Sequence, residues 1–357
     1  MRRNEIPLKT ILKQRIYFLL EVLIIFLGIF LFSLIPFYLL PALIDDKSVI
    51  FEPLYYYSRA FVPIVAIPLF LYLSNFIMEK QRKKLILNED ISPSTNFLRL
   101  FNINKKNFKF QLLYGMLLLF LIFIPLDFFT YFFSPEMLSY QSTVLNPAGE
   151  SSLNSYFNEN YSIFLVSIIL IPLSVAIYEE SLTRGFLGNR GSDYINKMSA
   201  VILSSFFFGL GHFGYFIINP SSGASIIPPT IWFLQTFLVG IILAMVVQRR
   251  HWIFPGIFAH TLNNFITSHT IWNDINGIDF SVMTMYVYLP LLIIGIILFI
   301  WQFSRIKESL SIGFKDFKTY FVRDIRINEK TSDVIVRIIL DFLFGLIIFL
   351  LGIATVF

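Results

Sequence analysis

Three short stretches of this 357-residue sequence carry side chains able to do acid–base chemistry. They are Ile177-Tyr178-Glu179-Glu180-Ser181-Leu182-Thr183-Arg184, Phe208-Gly209-Leu210-Gly211-His212 and His260-Thr261-Leu262-Asn263-Asn264. Between them they supply two carboxylates, a guanidinium, two imidazoles and an amide. A carboxylate beside a neutral histidine can take a proton from a water as that water attacks a carbonyl. An asparagine amide can donate to the oxyanion that forms. Two histidines and a carboxylate could instead hold a zinc ion whose bound water attacks. Both routes end in hydrolysis of a peptide bond. The chain has no HExxH helix, no GxSxG elbow and no cysteine. The common zinc-protease, serine and thiol signatures are therefore absent.

Helical spacing gives these residues geometry. Residues four apart share a face, so Glu180 and Arg184 can pair, and His260 and Asn264 can converge on one small object. Glu179 lies about 100° round the helix from Glu180 and is free to face a cavity. Phe208 sits one turn from His212 and can pack beside its ring. Gly209, Gly211 and Gly214 permit a neighbouring helix to come close. Pro255-Gly256 can loosen the start of the helix that carries His260.

The elements that must position this set are membrane helices. The chain is 56% hydrophobic and 14% charged, with a mean hydropathy of +0.71. A soluble domain is about 45–50% apolar and about 25% charged. This composition excludes a disordered chain, a fibre and a small disulfide scaffold, and it predicts an all-α, polytopic transmembrane bundle. Nine stretches are long enough to span: 16–42, 55–78, 110–133, 161–180, 198–218, 231–248, 253–270, 284–304 and 334–356. The basic stretch before the first is read as the flank of a retained helix rather than a signal peptide. Of the 28 Lys and Arg residues, 25 fall in five segments: the N-terminus through Arg15, 79–109, 181–197, Arg249-Arg250 and 305–333. With nine spans these lie on one side, and the intervening loops hold only Lys47. The positive-inside rule then puts the N-terminus in the cytoplasm. Basic loops facing anionic lipid account for the net charge of +5 without nucleic acid.

Segment 79–109 has the pattern of an amphipathic surface helix, with Leu98, Leu100, Phe101 and Phe108 among its basic residues. Loop 134–160 reads as an irregular cap with one short helix. Glu21, Arg59, Asp127, Arg337 and Asp341 also fall in spans, but away from the motifs. They are assigned structural or interfacial roles, with Arg337 and Asp341 pairing four apart. His251 and His269, and Trp232, Trp252, Trp272 and Trp301, lie near span ends as interfacial residues do. One tension remains. With these boundaries Glu179 ends its span while His212 lies well inside the next, a difference of roughly 20 Å in depth.

The ordered triple EExxxR, FxxxH and HxxxN resembles the CPBP family, the CAAX-protease and bacteriocin-processing (Abi) family of intramembrane proteases, also called type II CAAX prenyl endopeptidases. All three motifs match, over about a third of the chain. The resemblance implies a catalytic core at 161–270, flanked by helices at 1–160 and 271–357. It implies a cavity in which Glu179 activates water with help from His212. It implies that His260 and Asn264 hold the water or the oxyanion, with Glu180 and Arg184 supporting the site. A metal-free mechanism needing no cofactor is preferred. Zinc on Glu179, His212 and His260 is the alternative.

The expected function is an intramembrane endopeptidase in a bacterial plasma membrane, acting on a membrane-embedded protein or peptide. Peptide or bacteriocin processing, self-immunity and control of surface proteins are its candidate settings. A non-catalytic scaffold that binds a membrane or cell-envelope partner is the rival. A transporter ranks last, because the polar residues form one cluster and no internal repeat is visible.

Overall fold

The computed structural model describes residues 7–45, 48–82, 91–145, 154–218 and 225–356. Arg2, Arg3, Lys47 and the basic residues within 83–90 lie outside them, so their sidedness rests on sequence alone. Ten long helices follow one another: α1 Pro7–Leu43, α2 Phe51–Arg82, α3 Phe108–Phe133, α4 Tyr161–Tyr194, α5 Lys197–Ile218, α6 Ile227–Arg250, α7 Phe254–Ile275, α8 Phe280–Trp301, α9 Phe303–Thr319 and α10 Thr331–Val356. No strand occurs among the described residues. Eight of the helices are long and apolar enough to cross a membrane. The chain is a multi-pass membrane protein. Helix α7, the expected seventh span, is not among the eight, because it carries His260, Asn263, Asn264, His269 and Asp274.

Helix α4 is the axis of the bundle. Its first half packs Phe164, Ile168 and Ile171 against Phe123 of α3 and Ala259 and Ile271 of α7. Its second half packs Phe186, Leu187 and Tyr194 against α1, α2 and α10. The expected end at residue 180 is not an end. The helix runs on through a π-helical stretch, Ser181–Arg190, to Tyr194. A π turn frees backbone carbonyls, which inside a bundle need other donors. Ser204 of α5 donates to the Thr183 carbonyl at 2.7 Å, and Gln248 of α6 donates to that of Gly188 at 2.8 Å. Segment 181–197 is therefore no basic cytoplasmic loop, since Arg184 and Arg190 are buried within it.

This continuation removes the 20 Å mismatch. The chain reverses between Tyr194 and Lys197. Glu179 lies 15 residues before that turn and His212 lies 15 after it. At 1.5 Å per residue both stand about 22 Å from the same end of a helical hairpin. The hairpin brings them level.

Three of the scattered intramembrane charges, Glu21, Arg337 and Asp341, sit in buried ion pairs. Arg190 Nε and Nη2 donate to the two Glu21 oxygens at 2.6 and 3.0 Å, and Nη1 donates to Asp193 at 2.9 Å. Arg337 and Asp341 do not pair with each other. Arg337 Nε donates to Glu329 at 2.8 Å, while Asp341 accepts from Arg15 Nε of α1 at 3.0 Å. Tertiary packing of α1 on α10 gives each carboxylate its own guanidinium. Tyr320 also donates to Asp341 at 3.1 Å, and burial together with that carboxylate pushes the Tyr320 hydroxyl far above its ordinary range, keeping it a donor. Removing one member of a buried pair costs about 3–5 kcal/mol, whereas replacing both by apolar residues is often neutral. Arg15→Met should therefore lower the thermal midpoint of the purified protein sharply, and Asp341→Leu in the same chain should restore most of it. Equal midpoints for the single and double variants would remove the pair from the stability account.

Segment 91–109 also departs from expectation. Its helix is short, Pro93–Arg99, and Phe97 and Leu100 are buried rather than laid on a lipid surface. Phe97 packs beside Gly185, and the Leu100 carbonyl accepts from Ile253 N–H at 3.1 Å. The amphipathic helix with no buried residue is α9 instead. Loop 134–160 folds as a helix over Pro135–Leu145 and a 3₁₀ turn over Ser155–Asn158, with 146–153 outside the described residues.

Candidate active site

The three motifs meet. Arg184 Nη1 lies 3.2 Å from Glu180 Oε1, the i,i+4 pair expected from spacing. Glu180 Oε1 is also 3.0 Å from His260 Nδ1 on α7. The other ring nitrogen, His260 Nε2, points at Glu179 Oε2, 3.6 Å away. One chain of polar groups thus runs Arg184–Glu180–His260–Glu179. With Glu180 Oε1 beside Arg184, the His260 Nδ1–H donates to that oxygen, and Nε2, left with its lone pair, faces Glu179. A carboxylate that fixes an imidazole's tautomer and orientation serves other hydrolytic sites in the same way.

The two glutamates have different surroundings. The Glu180 side chain is 0% exposed and that of Glu179 is 32% exposed. Glu180 approaches α7 where the chain has no side chain: a Cβ on Gly256 would stand 3.0 Å from Glu180 Oε2. Gly256→Ala should displace a carboxylate already pinned by Arg184 and His260. The expected result is a loss of about tenfold in hydrolysis with a thermal midpoint within a few degrees of wild type. Full activity would show that Glu180 can shift freely.

His212 on α5 hydrogen-bonds through Nδ1 to the Phe208 carbonyl at 3.0 Å. The carbonyl can only accept, so the proton sits on Nδ1 and Nε2 keeps its lone pair. Glu179 and His260 both lie within electrostatic range of His212. Phe208 ties the motifs together. Its ring centroid is 4.0 Å from the Arg184 guanidinium carbon, 4.8 Å from the His212 ring and 6.0 Å from the His260 ring. Asn264, one turn after His260, is half-buried and makes no hydrogen bond among the described residues.

Several buried polar atoms here lack a partner among the described residues: Glu179 Oε2, Glu180 Oε2, Arg184 Nε and Nη2, and Asn263 Oδ1. Buried polar atoms are normally paired, so such a cluster marks where water or substrate binds. The proposed zinc set fits poorly as placed. Among the described residues no three His, Asp or Glu side chains converge to metal-ligand distance. Glu179 and His260 come together, and the bond of His212 Nδ1 to its own helix leaves Nε2 as that ring's one possible ligand atom.

Residues 161–266 match the family described as type II CAAX prenyl endopeptidase Rce1-like. This segment belongs to that family. The Rce1-like segment runs from the start of α4 to Ile266 on α7 and holds all six motif residues. That family is one of intramembrane proteases, and the flanking helices α1, α2, α3, α8, α9 and α10 lie outside the match. No curated protein and no solved structure matches the chain.

Residues that motif spacing missed also line the site, on α3 outside the Rce1-like segment and on α6 within it. Phe123, in a π turn of α3, stacks on His260 with ring centroids 6.1 Å apart. Trp232, six residues into α6, also has partners in the site. It stands edge-on to His212 at 5.1 Å and stacks on Tyr215 at 5.5 Å. Asp127 of α3 accepts from Gln235 of α6 at 2.8 Å and from Thr267 of α7 at 2.9 Å, joining three helices beside the site. A carboxylate inside an apolar span was the available signal for it. A Cβ on Gly209 would stand 3.0 Å from the Phe233 ring of α6, a close approach as expected, whereas Gly211 faces open space. His269 joins Tyr161 and Trp272 near one end of α7, away from the chemistry.

Proposed function

We propose that this protein is an intramembrane endopeptidase in which Glu179 is the general base. The observation that carries this is the difference between the two adjacent glutamates. Glu180 is fully buried and engaged by Arg184 and His260, while Glu179 keeps an exposed edge and an unpaired oxygen. Environments that separate neighbouring carboxylates assign them different tasks.

In this mechanism a water bound at Glu179 gives it a proton while its oxygen attacks the scissile carbonyl. His212 Nε2, an acceptor, orients that water. His260 Nε2, an acceptor in this tautomer, faces Glu179 and can accept from its carboxyl once the proton has been taken up. The Asn264 amide, one turn from His260 on the same helix, is the donor for the oxyanion. Glu179 then returns the proton to the departing amine, and the C–N bond breaks. Glu180 and Arg184 touch no reacting atom and are positioning residues.

The substrate is a membrane-embedded protein or peptide. Peptide maturation, self-immunity and control of surface proteins are the settings proposed for it. The test is a comparison of peptide termini in membranes from cells expressing wild type, Glu179→Gln or His212→Ala at matched levels. New termini that require both residues are expected. Unchanged termini in both variants would favour a scaffold that binds a partner protein without cutting it.

A further inference from the structure

Four guanidiniums buried in the bundle have carboxylate partners: Arg15, Arg184, Arg190 and Arg337. Arg59 does not. It lies on α2 inside a candidate membrane span and is half-buried. Among the described residues no carboxylate comes within 4.0 Å of it. Its guanidinium carbon instead rests over two tyrosine rings, 5.7 Å from the centroid of Tyr55 and 5.4 Å from that of Tyr178. Glu52, two turns earlier on α2, already accepts from the Ser155 and Tyr156 backbone N–H groups at 3.0 and 3.3 Å.

The location is specific. Tyr178 immediately precedes Glu179, and Arg59 and Glu179 both act electrostatically on Tyr178 and on Tyr215. Tyr215 in turn stacks on Trp232, which packs against His212. The cation therefore stands at the edge of the hydrolytic site. An unpaired charge inside a bilayer is costly and marks a site by default. Besides its hydrogen bond with Tyr178, the guanidinium has further N–H groups, and its planar fork matches a carboxylate with two parallel hydrogen bonds.

We infer that Arg59 is an anion subsite that holds a carboxylate of the substrate a few residues from the bond cut at Glu179. This inference rests on the hydrolytic function proposed above. The carboxylate can be the chain's own C-terminus or an Asp or Glu side chain. Arg59 faces Tyr178 on α4, which favours a peptide in the site over a lipid headgroup outside it.

The test separates the subsite from the chemistry. Full-length Glu179→Gln protein in nanodiscs is mixed with decapeptides of randomised apolar sequence in three forms: free acid, C-terminal amide, and amide with one internal Asp. Mass spectrometry of the retained fraction gives the ratio of each form. The acid is expected to be enriched over the plain amide by about tenfold, the size of one charge-assisted pair. Glu179→Gln/Arg59→Gln should bring that ratio to about one. Arg59→Lys keeps a cation but not the planar fork, so it should lower the ratio without abolishing it, and it serves if Arg59→Gln does not fold. Enrichment of the internal-Asp amide as strong as that of the acid would identify a side-chain carboxylate. No enrichment of either anionic form, or enrichment unchanged in both Arg59 variants, overturns the inference. Cleavage of the same peptides by wild-type protein is scored separately. Acid enrichment without cleavage would retain the subsite and remove the peptidase.

Discussion

Glu179→Gln should lower peptide hydrolysis by about 10²–10⁴-fold, the usual contribution of a general base. The substitution is isosteric. It removes a carboxylate whose side chain is 32% exposed and whose nearest cationic candidate, His260 Nε2, is 3.6 Å away, beyond hydrogen-bond distance. Little folding energy depends on it, so the thermal midpoint in detergent should stay within a few degrees of wild type. The check is kcat/KM on a reconstituted substrate alongside a thermal scan of the same preparation. Activity within threefold of wild type would move the base elsewhere. A collapsed midpoint would make Glu179 a structural residue.

One helical turn away the expected outcome is opposite in kind. Arg184→Ala should destabilise the protein by about 3–5 kcal/mol, because it leaves Glu180 charged, fully buried and without its cation. It also removes the guanidinium stacked on Phe208 at 4.0 Å and so loosens the ring that contacts both histidines. Arg184→Lys is not a conservative repair, since a point charge cannot pair with Glu180 and stack on Phe208 as the fork does. Combining Arg184→Ala with Glu180→Gln should recover part of the lost stability, since Glu180 would no longer be an uncompensated buried charge, but not the activity, since His260 Nδ1 would no longer be oriented by a carboxylate. Thermal midpoints of the four proteins form a double-mutant cycle. Additive losses in that cycle would deny the coupling.

The same cycle shows why pairing partners and span ends are hard to read from sequence. Composition and hydropathy suffice for the class of molecule. Apolar runs of about 20 residues have few physical solutions other than membrane helices, because a bilayer satisfies no backbone hydrogen bond. The i,i+4 rule likewise places Arg184 beside Glu180 and Asn264 one turn from His260, since helix geometry is local. The end of α4 is a different matter. Glu179, Glu180, Arg184 and Arg190 look like a solvated terminus when their neighbours in the chain are all that is known. Whether such charges end a span depends on partners supplied from elsewhere: His260 for Glu180, Glu21 for Arg190, and Ser204 and Gln248 for the carbonyls of the π stretch.

The pairing of Arg337 with Glu329 and of Asp341 with Arg15 has the same origin. Arg15 and Asp341 are 326 positions apart, beyond any local rule. Trp232 and Asp127 were assigned to interface and structure because their spacing from the motifs carries no information, yet folding sets them against His212 and across α3, α6 and α7. From its sequence this chain is a multi-pass helical membrane protein whose motif residues suit intramembrane hydrolysis. Residue types and short helical periods carry that much, being properties of one segment at a time. The level meeting of Glu179 and His212, the bridging of two glutamates by His260 and the placing of Arg59 on tyrosines, with no carboxylate beside it among the described residues, come only from the packed bundle. The energy of a buried polar group depends on what stands across from it, and in this fold that group comes from a distant part of the chain.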